Sequence, residues 1–117
     1  MRTGMCEFCG KVWDPMDHTW FCHHVEPFSV HDPDNGVTYE YDDEWVACSI
    51  CNVLVLTRNK KALALRTAEH HPGRVPGNLR DLYRVAEMMH TAFFERWQHS
   101  HPLHSRRECL INMPNVQ

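Results

Sequence analysis

Apolar and polar residues divide this chain into a strand-rich first part and a helical second part. Thr19 to Val25 (TWFCHHV) concentrates aromatic and β-branched residues and reads as a strand. Pro27 ends that strand or holds it at a sheet edge. His31 to Gly36 (HDPDNG) is a dense turn signal with Asn35-Gly36 as the hairpin dipeptide, and Val37 to Tyr41 alternates as the returning strand. Asp42, Asp43 and Glu44 read as an exposed acidic connection. The apolar stretch Trp45 to Thr57 (WVACSICNVLVLT) then reads as a short helix from Ser49 onward, although Val53 and Val55 also suit a strand. Asn59 is placed to cap a helix running to about His70, which His71-Pro72-Gly73 stops.

After a linker, Asn78 stands as the cap of the longest helix, with Asp81 in its first turn. Leu79, Leu82, Tyr83, Ala86, Met89, Phe93 and Trp97 recur at spacings of three and four, a broad apolar face suited to completing a core. Val85, Met88 and Phe94 on its other sides leave a groove-docking or dimer-forming face open. The tail after Pro102 is polar and basic and reads as mobile.

A chain of 117 residues fits one domain, 1–117, divided into a metal part (1–57), a helical part (58–100) and a tail (101–117). Its 43% hydrophobic content supports a real but small core, for which a metal staple makes physical sense. No apolar run reaches membrane-spanning length, so a membrane partner is not expected. The net charge of −3 conceals an asymmetry. Residues 1–57 carry Arg2 and Lys11 against ten acidic residues; residues 58–117 carry ten basic against five acidic. The two halves are therefore suited to attract each other, and any attraction to nucleic acid would come from the C-terminal half.

Cys6-Glu7-Phe8-Cys9 and Cys48-Ser49-Ile50-Cys51 carry the strongest chemistry. Two residues between cysteines let both sulfurs face one ion, and two such pairs complete a tetrahedral thiolate shell of the kind zinc accepts. The expectation is a structural Zn2+ on Cys6, Cys9, Cys48 and Cys51. This spacing, together with a start lacking an apolar leader, fits a reducing, cytoplasmic setting. Cys22 and Cys109 fall outside the pairs, so the six cysteines do not read as three disulfides. There is no internal repeat, no glycine loop for phosphate and no Ser-His-Asp arrangement.

The order of a turn at Cys6–Cys9 followed by Gly10, a hairpin, Cys48–Cys51 and a helix resembles a treble-clef zinc finger. Within it, Cys22-His23-His24-Val25-Glu26-Pro27-Phe28-Ser29 resembles the HNH endonuclease motif. That resemblance covers roughly residues 6–56. It implies His24 as general base, His23 as ligand of a catalytic divalent cation, Asn52 as second ligand, and Asp43 as the group holding the histidine loop. Asn52 replaces the usual terminal histidine, and Asp43 replaces the middle asparagine. Alternatives are that His23 and His24 merely alternate across a strand, or that Cys22 or a histidine substitutes as a zinc ligand.

C-E-F-C, W-V-A-C-S-I-C-N-V-L-V, K-A-L-A-L-R and D-L-Y-R-V-A-E-M-M-H-T-A-F-F make nearly the whole chain similar to small uncharacterised four-cysteine zinc-finger proteins of actinobacteria and their phages. That resemblance implies a fold and no activity. His24-x-Glu26 with Cys48-x-x-Cys51 is also the donor pattern of zinc nucleobase deaminases, but Pro27 and the HDPDNG turn block the helix such a fold needs after the Glu. His99, His101 and His104 are a second metal candidate, read here as an untidy tail.

The expected fold is a small α+β treble clef with a long amphipathic helix packed on it. The expected function is that of a non-catalytic, zinc-stabilised interaction protein with a protein partner, or a nucleic-acid one. The alternative is a metal-dependent HNH-type nuclease using His23, His24 and Asn52.

Overall fold

The computed structural model describes residues 4–14, 16–17, 19–75 and 77–103. Its elements are β1 (Phe21–Val25), β2 (Phe28–Asp32), β3 (Val37–Tyr41), β4 (Glu44–Ala47), α1 (Ser49–Leu56), α2 (Lys60–Glu69), α3 (Leu79–Arg96) and β5 (Trp97–Pro102). The architecture is mixed α+β, as expected. Among the described residues no helix is long and apolar enough to cross a membrane.

β1 is the centre of a three-stranded antiparallel sheet ordered β4-β1-β5. Its expected hairpin partner, Val37 to Tyr41, is not its neighbour: β3 pairs instead with β2, Phe28 opposite Tyr41 and Asp32 opposite Val37. The Asn35-Gly36 turn forms, with Gly36 at φ +66°, but it closes the β2–β3 hairpin. Pro27 separates β1 from β2 and so ends the first strand. Glu44 is not part of a free connection, since it opens β4 opposite His24.

The larger correction is β5. Residues 97–102 leave the helix and run antiparallel to β1, His101 opposite Cys22, Ser100 opposite His23 and His99 opposite His24. The pairing continues as Leu103 N–H donates to the Trp20 carbonyl at 2.9 Å, which leaves the Leu103 side chain fully buried. Residues 101–103 therefore belong to the folded domain, and the helix ends at Arg96. A histidine-rich, proline-containing segment carries almost no strand signal by itself; the open edge of β1 supplies the hydrogen bonds that make it one. His104 and Cys109 lie outside the described residues.

The helices follow the sequence closely. α1 begins directly after Cys48, and the Asn59 Oδ1 accepts the Ala62 N–H at 3.3 Å to cap α2. Asn78 stands at the N-cap of α3, but its side chain makes no capping bond: its Oδ1 accepts the Val75 N–H at 2.9 Å and its Nδ2 donates to the Gly73 carbonyl at 3.1 Å. It braces the preceding turn instead. Arg58, between α1 and α2, adopts φ +54° and lays its guanidinium over the rings of Trp97 and Phe94, 4.9 and 5.7 Å from their centroids. α3 buries Ala86, His90 and Phe93. Met88, Phe94 and Trp97 pack as partly buried residues against the same core, so those extra apolar positions are mostly used internally.

The core joins Phe8, Trp45 and Phe93, with ring centroids 5.1 to 5.3 Å apart. It thereby links the first cysteine turn, the sheet and α3. The β2–β3 hairpin is fastened separately. Asp32 is fully buried and receives Arg84 of α3 in a two-pronged contact, Nη1 to Oδ1 and Nη2 to Oδ2, each 3.0 Å. Arg84, with the Asp34 N–H and the Asn35 amide, holds the Asp32 carboxyl at about 2, below its ordinary 3.8.

A carboxyl depressed by folding stabilises the fold above its unfolded value and loses that contribution as the pH falls through the folded one. The Asp32–Arg84 contact is thus complete above about pH 4 and lost towards pH 2. Arg84→Met is expected to lower the Tm at neutral pH and to show a shallower fall in Tm between pH 4 and 2 than the wild type. Circular-dichroism melts across that range test it; parallel curves would exclude the contact as a source of stability.

Candidate metal centre

The first cysteine pair sits in a tight turn closed by the antiparallel bridge Met5–Val12. Cys6 N–H donates to the Lys11 carbonyl and Gly10 N–H to the Cys6 carbonyl, both at 2.8 Å. Gly10 occupies φ +80°, a backbone state a side chain resists, which is why glycine follows Cys9. The Cys9 N–H points at the Cys6 sulfur at 3.5 Å. This turn is sewn to β4: Glu7 N–H donates to the Val46 carbonyl, and Val46 N–H to Glu7 Oε1, both at 2.8 Å. The second pair follows β4 immediately, with Cys48 just before α1 and Cys51 in its first turn. There the exposed N–H groups and the helix dipole favour negative sulfur.

The result brings Cys6, Cys9, Cys48 and Cys51 together with all four sulfurs within 4.8 Å of one another. All four residues are buried and carry free thiols. Cys9 and Cys48 stand 3.7 Å apart. A tetrahedral ion with metal–sulfur bonds of about 2.3 Å needs sulfurs about 3.8 Å apart, whereas a disulfide needs about 2.05 Å. The cluster fits an ion and not a bond. Hydrogen bonds from Cys51, Cys6 and Cys9 push the Cys48 thiol far below its ordinary range, and those from Cys48, Cys6 and Cys9 push Cys51 far above it. Four sulfurs so close cannot share a single protonation state; a divalent cation resolves the conflict by making all of them thiolates.

Arg66 of α2 was not singled out by the sequence. Its Nε donates to Cys51 Sγ at 3.3 Å, and its Nη2 reaches Cys9 Sγ at 3.7 Å and Cys48 Sγ at 3.9 Å. Four thiolates around a divalent ion carry a net charge of about −2, and a guanidinium across three of them offsets it. The only hint in sequence is one basic residue in the K-A-L-A-L-R run, seven positions beyond Asn59.

The HNH-like residues separate across β1. His23 is fully buried, with Nδ1 2.6 Å from Ser100 Oγ and its ring edge-on to Phe93 and Trp97. Burial lowers its pKa to about 4, opposed by a contact from the Asn52 side chain. Asn52, in α1, is 6% exposed. The structure therefore brings His23 and Asn52 together, inside the core. His24 faces the other side of the sheet, its Nε2 2.7 Å from His101 Nε2 and 3.8 Å from Cys22 Sγ. Asp43 is exposed and meets β1 through its backbone carbonyl, which accepts the Val25 N–H at 3.0 Å.

Removing the metal is expected to unfold the chain, because the cluster joins segments 39 residues apart and structural sites of this kind contribute about 10–16 kcal/mol in small domains. Arg66→Gln is expected to weaken metal retention about 10-fold or more against a chromophoric chelator, with Lys61→Gln as an unaffected control. A metal-free chain with an unchanged melting curve would refute the structural role.

No family model, no curated protein and no solved structure matches this chain.

Proposed function

We propose that this protein is a zinc-stabilised, non-catalytic interaction module of treble-clef type whose partner is another protein. The observation that carries this reading is the closed character of the four-cysteine cluster. Four buried protein sulfurs complete a tetrahedral shell and leave no position for a substrate or water, which is how structural zinc differs from catalytic zinc. The nearby Arg66 reinforces retention and supplies no reacting group.

The contact surface follows from what the core leaves outside. On α1, Ile50, Val53 and Leu56 are about half exposed, at 50, 58 and 50%. They lie three residues apart and form one apolar row on a helix whose opposite side holds Cys51 and Val55. Apolar side chains recognise apolar side chains, not phosphates. Residues 1–57 carry ten acidic residues against two basic ones, a balance that opposes a nucleic-acid backbone. A protein partner presenting an apolar patch fits this row.

The nuclease alternative has one supporting observation, the proximity of His23 and Asn52 in the core, where His23 Nε2 and Asn52 Oδ1 are both buried without a hydrogen-bond partner among the described residues. Against it stands the full burial of His23 under Phe93 and Trp97, where neither a hydrated cation nor a phosphate reaches it.

A photo-crosslinking residue at Val53, compared with one at the exposed Glu95, tests the docking face. The expected outcome is a discrete protein adduct from position 53 only, lost when Ile50→Glu is added while the metal content stays unchanged. Equal labelling at both positions would remove the docking face. Plasmid nicking with Mg2+ or Mn2+ that disappears in His24→Ala would overturn the non-catalytic reading.

A further inference from the structure

Strand pairing gives the face of the sheet opposite His23 an unusual composition. Side chains alternate along a strand, so Cys22 and His24 share one face of β1 and His99 and His101 share one face of β5. The register sets Cys22 opposite His101, and His24 opposite both His99 and Glu44. One face of three strands thus carries a sulfur, three imidazoles and a carboxylate. The four-cysteine cluster uses none of them.

Three of these donors converge on one point. Cys22 Sγ, His24 Nε2 and His101 Nε2 lie within 4.8 Å of one another. The two imidazole nitrogens are 2.7 Å apart, and the sulfur is 3.8 Å from His24 Nε2. The far nitrogens of both rings are turned toward oxygens. His24 Nδ1 is 4.0 Å from Glu44 Oε2, and His101 Nδ1 is 3.3 Å from the Pro102 carbonyl. A ring that donates its proton at Nδ1 carries its lone pair at Nε2. The 2.7 Å contact places one proton between the two Nε2 atoms, and a cation that displaces this proton would be held by both nitrogens beside the sulfur. A carboxylate or carbonyl behind each histidine is the support that metal-bound imidazoles use. His99 stacks on His24 with ring centroids 4.5 Å apart and restricts its rotation.

We propose that Cys22, His24 and His101 form a second metal site for a zinc-class divalent ion, distinct from the four-cysteine cluster and assembled when Cys22 is reduced. Tetrahedral geometry with bonds of about 2.0 Å to nitrogen and about 2.3 Å to sulfur asks for N···N near 3.3 Å and N···S near 3.6 Å. The imidazoles need to separate by about 0.6 Å, a small ring rotation, and the sulfur is already in range of His24. Three protein donors leave one position for water or a further ligand, so this site is open where the first is closed.

Cys22 is disulfide-bonded in this structure, which makes the site redox-dependent. A two-electron reductant, such as a cellular dithiol, breaks the S–S bond; each sulfur takes up a proton, and the dithiol becomes its own disulfide. Metal binding then displaces the Cys22 proton to give the thiolate ligand. Oxidation reverses the sequence and withdraws the sulfur from the ion.

Zinc stoichiometry by mass spectrometry on the full chain, desalted with or without a phosphine reductant, tests the proposal. The phosphine is oxidised to its oxide, with water supplying the oxygen and the protons. The expected result is two zinc ions per chain for the reduced wild type and for His99→Ala, and one for the oxidised wild type. The double variant His24→Ala/His101→Ala should hold one ion in both states, with its melting transition retained. Co2+ replacing the second ion should give a tetrahedral visible spectrum with weaker sulfur charge transfer than the four-cysteine site. One ion in the reduced wild type, or two in the double variant, would overturn the assignment. Should the double variant fail to fold, Cys22→Ser decides instead: loss of the second ion and its sulfur band is expected, and retention of both refutes the site.

Discussion

The convergence of four cysteine sulfurs is the constraint on which the rest of the structure depends. Residues 6–9 and 48–51 are distant in sequence, and the chain between them carries both the β2–β3 hairpin and the centre of the sheet. Closing that loop costs entropy that a small core is ill placed to supply. A shared ion would close it at one point and fix the start of α1 against the first turn. Everything else is built outward from this joint. Glu7 and Val46 extend it into β4, and Phe8 and Trp45 carry it into the aromatic core with Phe93 of α3. Arg66 of α2 closes over it from the other side.

Electrostatics repeats this logic at two further places. The acidic first half and basic second half meet in specific pairs, of which the buried Asp32 held by Arg84 is the clearest. The same contrast brings Arg66 to the sulfurs. Arg84 and Arg66 are thus engaged inside the domain. A helix that buries Ala86, His90 and Phe93 is likewise committed to the core. A row of exposed apolar side chains stands on α1, where the sequence offered no distinction between buried and exposed valines.

β1 separates the two chemistries that its sequence places side by side. His23 enters the core with Asn52 and Ser100, while His24 joins Cys22 and His101 on the opposite face of the sheet. Adjacent residues on a strand point oppositely, so a His-His pair cannot act as a single unit on one side of the sheet. The alternative that the two histidines simply alternate across a strand describes where they lie. The pairing partner, β5, then gives each face its second set of polar groups.

What the sequence determined by itself was whatever local chemistry dictates. The four cysteines positioned to hold a metal ion follow from their spacing. α1 after Cys48, α2 behind the Asn59 cap, the Asn35-Gly36 turn and the break at Pro27 all follow from residues acting within one or two turns of chain. What only the tertiary structure decided was which segments meet. β3 pairs with β2 and not β1; residues 97–102 are a strand because β1 has an open edge; Arg66 caps the sulfurs; and His24 finds His101. Each of these depends on a partner elsewhere in the chain, from five residues away (Asp32 and Val37) to 81 (Phe21 and Pro102). A strand edge, a guanidinium or an imidazole is satisfied by whatever the fold brings to it, and no periodicity in the chain records that partner in advance.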